Sequence, residues 1–192
     1  MTTYAVTGAT GHFGQAAIKA LHQFLQPGDA LIALARNLKK AQKLVPNDVP
    51  VRLGDYDDVT SLTQSLAGID KLLFVSSQPG QAVSRADQHQ NVVNAAKAAG
   101  VKFIAYTSFP KAPTNPASLA ADHKATEAMI EASGIAHSFL RNNWYLENES
   151  STLTAGANGK DFVYAAGDGK AGWALEREYA EAAARVMTLS TP

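Results

Sequence analysis

The sequence predicts an α/β fold built on a doubly wound parallel sheet, and two observations carry this prediction. A glycine-rich turn joins a short apolar strand to a helical pattern within the first 24 residues, and apolar runs then alternate with helical patterns as far as residue 140. Such alternation is typical of βαβ units, whose right-handed crossovers give parallel strands with helices on both faces. We expect six strands in the order 3-2-1-4-5-6.

Each element follows from apolar patterning and from the turn residues beside it. Strands are expected at 4–7, 30–35, 51–53, 71–77, 101–108 and 135–140, and helices at 13–24, 38–44, 58–66, 84–99 and 119–133. Asp58 is placed to cap one helix, and Gly100 and Gly134 each end one. Beyond residue 140 we expect a helix to about residue 155, a short strand at 162–164 and an alanine-rich helix at 177–189.

The composition excludes several functions. Among 192 residues there is no cysteine, the net charge is zero and 46% of the residues are hydrophobic. Disulfides, thiolate zinc sites and a cysteine nucleophile are therefore excluded, and neither nucleic acid nor an anionic membrane is expected as a partner. The histidines are scattered without metal-ligand spacing, and no apolar run approaches membrane-spanning length. We expect a cytoplasmic protein without a metal site.

The glycine-rich turn is the first candidate binding site. Gly8 permits a chain reversal, Gly11 a close approach of a ligand to the backbone, and Gly14 close packing of the helix on the strand. The N–H groups at the helix start attract a pyrophosphate. The spacing GxxGxxG differs from the GxGxxG fingerprint, and a turn that serves packing alone is the alternative. The expected cofactor contacts here are Gly8, Ala9, Thr10, Gly11, His12 and Phe13.

The end of the second strand distinguishes NADP(H) from NAD(H). An acidic residue there would bind the ribose 2′-hydroxyl, whereas an arginine accommodates a 2′-phosphate. The strand ends in Arg36, with Lys39 and Lys40 within reach and no carboxylate beside it. We therefore expect NADP(H), the alternative being that Arg36 is only a solvated strand-end charge. Asp55 and Tyr56, at the end of the third strand, either flank the adenine or form an ordinary aspartate turn.

Six segments taken together resemble a known family. They are 7–14 (TGATGHFG), 34–37 (LARN), 54–56 (GDY), 71–77 (KLLFVSS), 102–108 (KFIAYTS) and 140–145 (LRNNWY). In this order they look like the NmrA-like branch of atypical short-chain dehydrogenases, and within it like the bacterial type 2 NAD(P)H:quinone oxidoreductases. The resemblance covers essentially the whole chain, and it implies a Rossmann fold with a small, truncated C-terminal substrate lobe.

The resemblance also implies an activity and a domain division. It implies an NADP(H)-binding Rossmann domain over 1–140, a partial substrate-binding lobe over 141–192, and two-electron reduction of a quinone by NADPH. Asn143 stands where the quinone reductases of this family carry glycine. Members of the family are longer, so either this chain is truncated or its pocket is completed by another subunit, for example in a homodimer. The further cofactor contacts that the resemblance implies are Ser76, Ser77, Gln78, Asn142 and Trp144.

The sequence identifies the catalytic side chains less clearly than the cofactor contacts. None of the tyrosines has a lysine four residues on, so the Tyr-x-x-x-Lys pair of short-chain dehydrogenases is absent. A quinone is electron-poor and needs mainly proximity and alignment for hydride transfer. His123 is the candidate proton donor, with Glu127 one helical turn away to orient it, and the alternative is a surface ion pair. Asn143 and Tyr145 are candidates for the substrate pocket, and Tyr145 equally fits an aromatic that packs the lobe.

A second function fits the same features. The NmrA-like branch includes regulators that bind a dinucleotide, do no chemistry and signal through a protein partner. The lack of a clear acid–base pair agrees with such a role. The sequence therefore leaves two alternatives, a quinone reductase and a non-catalytic redox sensor.

Overall fold

The computed structural model describes residues 1–161, 163, 167–170 and 172–189. Up to residue 141 these residues form β1 (Thr3–Val6), α1 (His12–Phe24), β2 (Ala30–Ala35), α2 (Leu38–Gln42), β3 (Val51–Leu53), α3 (Val59–Ser65), β4 (Lys71–Phe74), α4 (Arg85–Ala99), β5 (Phe103–Ser108), α5 (Ser118–Ser133) and β6 (Ala136–Arg141). A short 3-10 helix (Leu146–Glu149), α6 (Ser150–Ala157) and α7 (Glu176–Thr188) follow.

The strands form one parallel sheet in the order β3-β2-β1-β4-β5-β6. This confirms the predicted doubly wound topology. The chain proceeds outward from β1 in one direction and then crosses to β4 on the other side, so the strand order reverses between β1 and β4. In open α/β sheets the ligand site lies at this switch point, beyond the carboxyl ends of the strands.

Side chains alternate across the sheet, so each face has its own apolar core. Tyr4 and Val6 face α1 and α7, whereas Ala5 between them faces α3, α4 and α5. Every residue of β5 is buried. This is the pattern expected of a central parallel strand that is covered on both sides.

The C-terminal helix α7 completes the core on the α1 side. Ala180, Ala183, Ala184 and Met187 are buried there, in one apolar core with Leu21 of α1. Small side chains at the contact let the two helices approach closely. The predicted bounds of this helix, 177–189, are each within one residue of the structure. Its packing places part of 141–192 in the apolar core that covers one face of the sheet. The division at residue 140 stays a prediction.

The predicted elements differ from the structure mainly at their ends. β2 and β3 match, but β4 ends at Phe74 instead of residue 77. The amides that follow it bind side chains: Val75 N–H donates to Thr7 Oγ1 (2.9 Å), and Ser76 N–H donates to Thr107 Oγ1 (2.9 Å). The strand expected at 162–164 falls on residues of which 162 and 164 lie outside the described part of the chain.

Candidate functional site

A cavity of about 480 Å³ opens at the switch point of the sheet. Its walls come from the turn after β1, the ends of β2 and β3, the loop after β4, and the first residue of α7. A volume of this size suits a small-molecule ligand. It lies at the carboxyl ends of β1 and β4, where the topology predicts a binding site.

The glycine-rich turn forms one side of this cavity. Gly8 adopts φ +64°, and its carbonyl accepts a hydrogen bond from Gly11 N–H (2.9 Å). A Cβ on Gly14 would lie 2.2 Å from the Gly8 oxygen, so only glycine lets α1 start this close to the turn. Gly11 is the N-cap of α1 and makes no side-chain capping bond, which leaves the helix start available to an anion.

The predicted contacts in this turn divide into two groups. Gly8, Thr10, Gly11, His12 and Phe13 line the cavity. Ala9 does not, because it is fully buried and its amide donates to the Leu34 carbonyl (3.1 Å). The Ala9 amide is thus already paired within the protein, and a contact of Ala9 with a cofactor stays a prediction.

The end of β2 supplies positive charge to the cavity. Arg36 and Lys40 both line it, together with Asn37 between them. The Asn37 side chain accepts from Lys40 N–H (2.9 Å) and so caps α2. This cap fixes the start of α2 directly after Arg36, which keeps the two cations on the same wall.

Tyr56 lines the cavity, but its hydroxyl is turned into the protein. The hydroxyl donates to the Val75 carbonyl (2.7 Å) and lies 2.5 Å from Thr7 Oγ1, so it ties the end of β3 to β1 and β4. Burial raises the pKa of this phenol well above its ordinary value. Asp55 also lines the cavity, and its carboxylate accepts from Asp57 N–H (3.2 Å), the aspartate turn that the sequence left as an alternative.

The loop after β4 forms the opposite side. Ser76, Ser77 and Gln78 line the cavity. Ser77 N–H donates to His89 Nε2 (3.0 Å), and His89 Nδ1 lies 2.7 Å from Thr126 Oγ1. Burial lowers the pKa of His89 to about 3, with the Arg85 charge acting in the same direction, so the imidazole is neutral and able to accept this bond.

Sequence reasoning missed Gln88 and Gln81, which also line the cavity. The Gln88 amide donates to Asp57 Oδ1 (2.8 Å), and its side-chain oxygen is buried without a hydrogen-bond partner among the described residues. Gln88 lies in the first turn of α4 and Gln81 in the loop before this helix, and neither position carries a sequence signal for such a role. Asn37 could have been found, because it directly follows Arg36.

The segment after β6 does not line the cavity in the described part of the chain. Tyr145 stacks on Phe13 with ring centroids 6.2 Å apart, and its hydroxyl accepts from the Asn142 side chain (3.0 Å). Burial raises the pKa of Tyr145 to about 12. Trp144 is 46% exposed, and the Asn143 side chain accepts from its amide (2.9 Å). Cofactor contacts from Asn142 and Trp144, and catalytic roles for Asn143 and Tyr145, stay predictions.

His123 lies on α5, is buried, and is not part of the cavity lining. Its Nδ1 lies 2.9 Å from the Tyr106 hydroxyl, its Nε2 lies 3.2 Å from Arg85 Nη2, and Phe109 stacks on its ring. Burial and the Arg85 charge lower its pKa to about 4. The ring is therefore neutral at pH 7, and its role as a proton donor stays a prediction.

The expected pairing of His123 with Glu127 is wrong. The Glu127 carboxylate instead accepts two bonds from Arg141, at 3.0 and 2.8 Å, and one from Ser108 (2.6 Å). Desolvation raises the pKa of Glu127, but these bonds outweigh it and hold the pKa below its ordinary value. The alternative of a surface ion pair is also wrong, because both side chains are buried.

Neither a cluster of metal-ligand side chains nor a membrane-spanning helix occurs in the described ranges. These ranges contain no group of three or more His, Cys, Asp or Glu side chains that could hold a metal ion. They also contain no helix with the length and apolar composition needed to cross a membrane.

The chain is similar to known proteins in sequence and in structure. A sequence model described as NAD(P)H-binding matches residues 8–168. The chain belongs to this NAD(P)H-binding family. It is 48% identical to quinone oxidoreductase 2 of Escherichia coli over 185 residues, which are 96% of this chain and 63% of that protein. An NmrA-like family domain-containing oxidoreductase, flvB of Aspergillus flavus, is 33% identical over 75% of this chain and 48% of its own length.

A solved structure agrees with these sequence matches. The crystal structure of the NADPH-dependent quinone oxidoreductase QOR2 of Escherichia coli, complexed with NADPH, superposes with a TM-score of 0.88 at 47% identity. It covers 97% of this chain, while the chain covers 65% of that structure. The predicted NmrA-like resemblance is thus confirmed. This member of the NAD(P)H-binding family spans less than two thirds of the length of these relatives.

Proposed function

We propose that the protein binds NADP(H) in the cavity beside the glycine-rich turn and transfers a hydride from NADPH to a quinone-type acceptor. The observation that carries this proposal is the combination of the uncapped start of α1 with Arg36 and Lys40 in one cavity. A helix start attracts the pyrophosphate of a dinucleotide, and an arginine at the end of the second strand suits a 2′-phosphate. The relatives named for NADPH and quinone support the same conclusion.

The residues present fit this cofactor. Gly14 lets α1 start close to the Gly8 carbonyl, and Gly11 adds no side chain to the cavity wall that it lines. The unpartnered Gln88 oxygen is a buried acceptor, and the exocyclic amino group of adenine is a donor that would satisfy it. The guanidinium of Arg36 is suited to two parallel hydrogen bonds with a phosphate.

The bound nicotinamide would supply the hydride, and the protein's part is to bind, orient and exclude water. An electron-poor quinone accepts a hydride without strong acid catalysis, so alignment at the cavity mouth is the main requirement. The segment that follows β6, including Asn143 and Tyr145, is at the carboxyl edge of the sheet, where an acceptor would approach. We include these two residues, and His123 as a proton donor, in the proposal.

The cellular setting is part of the same proposal. The zero net charge and the absence of cysteine support a cytoplasmic protein whose partners are small molecules and not nucleic acid. A homodimer would bring a second copy's surface to the segment after β6, where Trp144 and Leu153 are exposed.

The decisive experiment follows NADPH oxidation at 340 nm with a small naphthoquinone as acceptor. We expect turnover above the protein-free control, and turnover with NADH that is much slower. The variant Arg36→Ala removes a charge-assisted phosphate contact, so we expect the NADPH Kd to rise about 30-fold and the NADH Kd less than threefold. Lys43→Ala removes the same charge from an exposed position outside the cavity lining and is the control. An equal loss of affinity for NADPH and NADH in Arg36→Ala would contradict the role of Arg36 in binding the 2′-phosphate. Binding of NADPH by the wild-type protein without turnover would favour the non-catalytic sensor.

A further inference from the structure

A carboxylate lies where the cavity would bind an anion. Glu176 is the first residue of α7, and its side chain lines the same cavity as the glycine-rich turn. Its Oε2 lies 3.9 Å from Nδ1 of His12, which is the first residue of α1. Only 18% of the side chain is exposed, so the carboxylate is part of the cavity wall and not a solvated surface charge.

Two contacts hold Glu176 in this place. Its backbone N–H donates to Glu147 Oε2 (2.9 Å), which ties the start of α7 to the 3-10 helix. One and two turns further on, Ala180 and Ala183 are buried against the α1 side of the sheet. The position of α7 therefore determines where the carboxylate lies, and α7 is fixed to the same helix whose start forms the anion site.

The helix start and the carboxylate attract one another for the same reason that a helix start attracts a pyrophosphate. The N–H groups of the first turn lack intrahelical partners and carry partial positive charge. Burial raises the pKa of Glu176 on balance, and the Phe13 amide in this first turn acts in the opposite direction by favouring the charged carboxylate. A dinucleotide pyrophosphate has to use the same groups, and it would meet a negative charge in a cavity of lower dielectric constant than water.

We propose that the Glu176 carboxylate is an internal competitor of the dinucleotide pyrophosphate, an autoinhibitory contact that lowers the affinity for NADP(H) and NAD(H) alike. This inference rests on the proposed function, because it needs a dinucleotide in the cavity. Binding then requires the side chain to rotate away or to take up a proton. Glu176 acts on the pyrophosphate that both dinucleotides share, whereas Arg36 acts on the 2′-phosphate that distinguishes them.

The charges around Glu176 determine the pH at which this competition ends. Burial raises its pKa, and Glu147 from the 3-10 helix acts in the same direction. His12 on α1 and the Phe13 amide oppose this shift, and the net pKa is above the ordinary value. Tyr145 also faces the carboxylate, and it stays neutral because its pKa is about 12. As the pH falls through the raised pKa, the carboxylate takes up a proton and the repulsion is lost.

The test compares dissociation constants of wild type and Glu176→Gln by isothermal titration calorimetry. The ligands are NADP⁺ and NAD⁺, because the oxidised forms are stable in acid. At pH 8 we expect the variant to bind both about tenfold more tightly, the order of magnitude of one partly screened charge–charge contact. The gain should shrink as the pH is lowered from 8 through the raised pKa of the Glu176 carboxyl, because the carboxylate then takes up a proton. Circular dichroism confirms the fold, and Glu176→Ala, which also removes the charge, should show the same direction.

Glu181→Gln is the matched control. It removes one negative charge from the same helix at a 59% exposed side chain outside the cavity lining, so its dissociation constants should equal those of wild type. An equal or weaker affinity in Glu176→Gln, with wild type binding normally, would overturn the inference; weaker binding would indicate that the carboxylate accepts from a ribose hydroxyl. If neither protein binds NADP⁺, the proposed function itself fails, and this inference fails with it.

Discussion

The substitution Gly14→Ala tests how the anion site is built. A Cβ at this position would lie 2.2 Å from the Gly8 oxygen, 2.8 Å from the Gly8 carbonyl carbon and 3.2 Å from Ala9 Cα. All three atoms belong to the backbone, so no side chain can rotate away. The turn is itself held by the hydrogen bond from Gly11 N–H to the Gly8 carbonyl and by the bond from Ala9 N–H to the Leu34 carbonyl. The clash can therefore be relieved only if α1 moves away from the turn by about 1 Å, which strains the packing of α1 as overpacking does.

Overpacking costs about 1–3 kcal/mol, and a clash with backbone alone belongs at the upper end of that range. We expect the free energy of unfolding to fall by about 3 kcal/mol and the Tm by roughly 6–12 °C, from the usual scaling for a chain of this size. Thermal unfolding followed by circular dichroism at 222 nm measures the shift. Urea unfolding at 25 °C gives the free energy independently, with the slope m unchanged if the compactness of both states is unchanged.

The matched control is Gly11→Ala, three residues earlier in the same turn. Gly11 has φ −81° and ψ 161°, which alanine adopts without strain, and its added Cβ would lie 3.4 Å from the Gly8 oxygen. We expect a loss of less than about 1 kcal/mol for this variant. Equal stability losses in the two variants, or a Gly14→Ala protein as stable as wild type, would refute the argument that Gly14 sets the distance between α1 and the turn.

Three further predictions concern the polar groups of the core. Tyr56→Phe removes a buried hydroxyl and takes away the hydrogen bond that it donates to the Val75 carbonyl, so urea unfolding should show a loss of about 1–2 kcal/mol in the free energy of unfolding. Glu127→Gln leaves Arg141 without its counter-charge; since that guanidinium is 43% exposed, we expect only about 1–2 kcal/mol, and a neutral result would contradict the bidentate pair. The pKa values of His89 and His123, lowered to about 3 and about 4, lie below the unfolded value of about 6.5, so the unfolded chain binds more protons as the pH falls from about 6.5 to 4. The free energy of unfolding should therefore drop by roughly 2 kcal/mol or more between pH 7 and pH 5, and a flat profile would show that these imidazoles are not buried and neutral.

The helices and strands could be predicted well, because the apolar pattern and the turn residues that define each of them lie within a few residues of one another. The apolar run of β2 lies between a Gly-Asp turn and Arg36, and its predicted bounds are those of the structure. The over-extension of β4 has a non-local cause. Val75 and Ser76 belong to a continuous run of apolar and small residues. Their amides, however, donate to the hydroxyls of Thr7, directly after β1, and of Thr107 in β5, and no pattern within the run reveals those partners.

The pairing of His123 with Glu127 failed for a similar reason. Their spacing on α5 permits contact, but the sequence does not show what else approaches the carboxylate. Arg141 arrives from β6, and its guanidinium makes two charge-assisted bonds to Glu127, which a neutral imidazole cannot match. The imidazole instead lies against Arg85 of α4 and Tyr106 of β5, both distant in sequence.

Polar residues near the carboxyl edge of the sheet therefore serve two purposes, and the sequence does not show which residue serves which purpose. Ser76 and Gln78 line the cavity, whereas Thr107 and His89 are buried and hold the backbone of that loop in place. Both kinds are small or medium polar residues near the carboxyl edge of a parallel sheet, because a buried loop has to satisfy its amides with side chains when no neighbouring strand is available. The hydrogen-bond partners of a side chain distinguish the two kinds. A polar group at this edge that has a partner inside the protein shapes the cavity. The Gln88 oxygen belongs to a residue that lines the cavity and has no partner among the described residues, so a ligand donor is expected there.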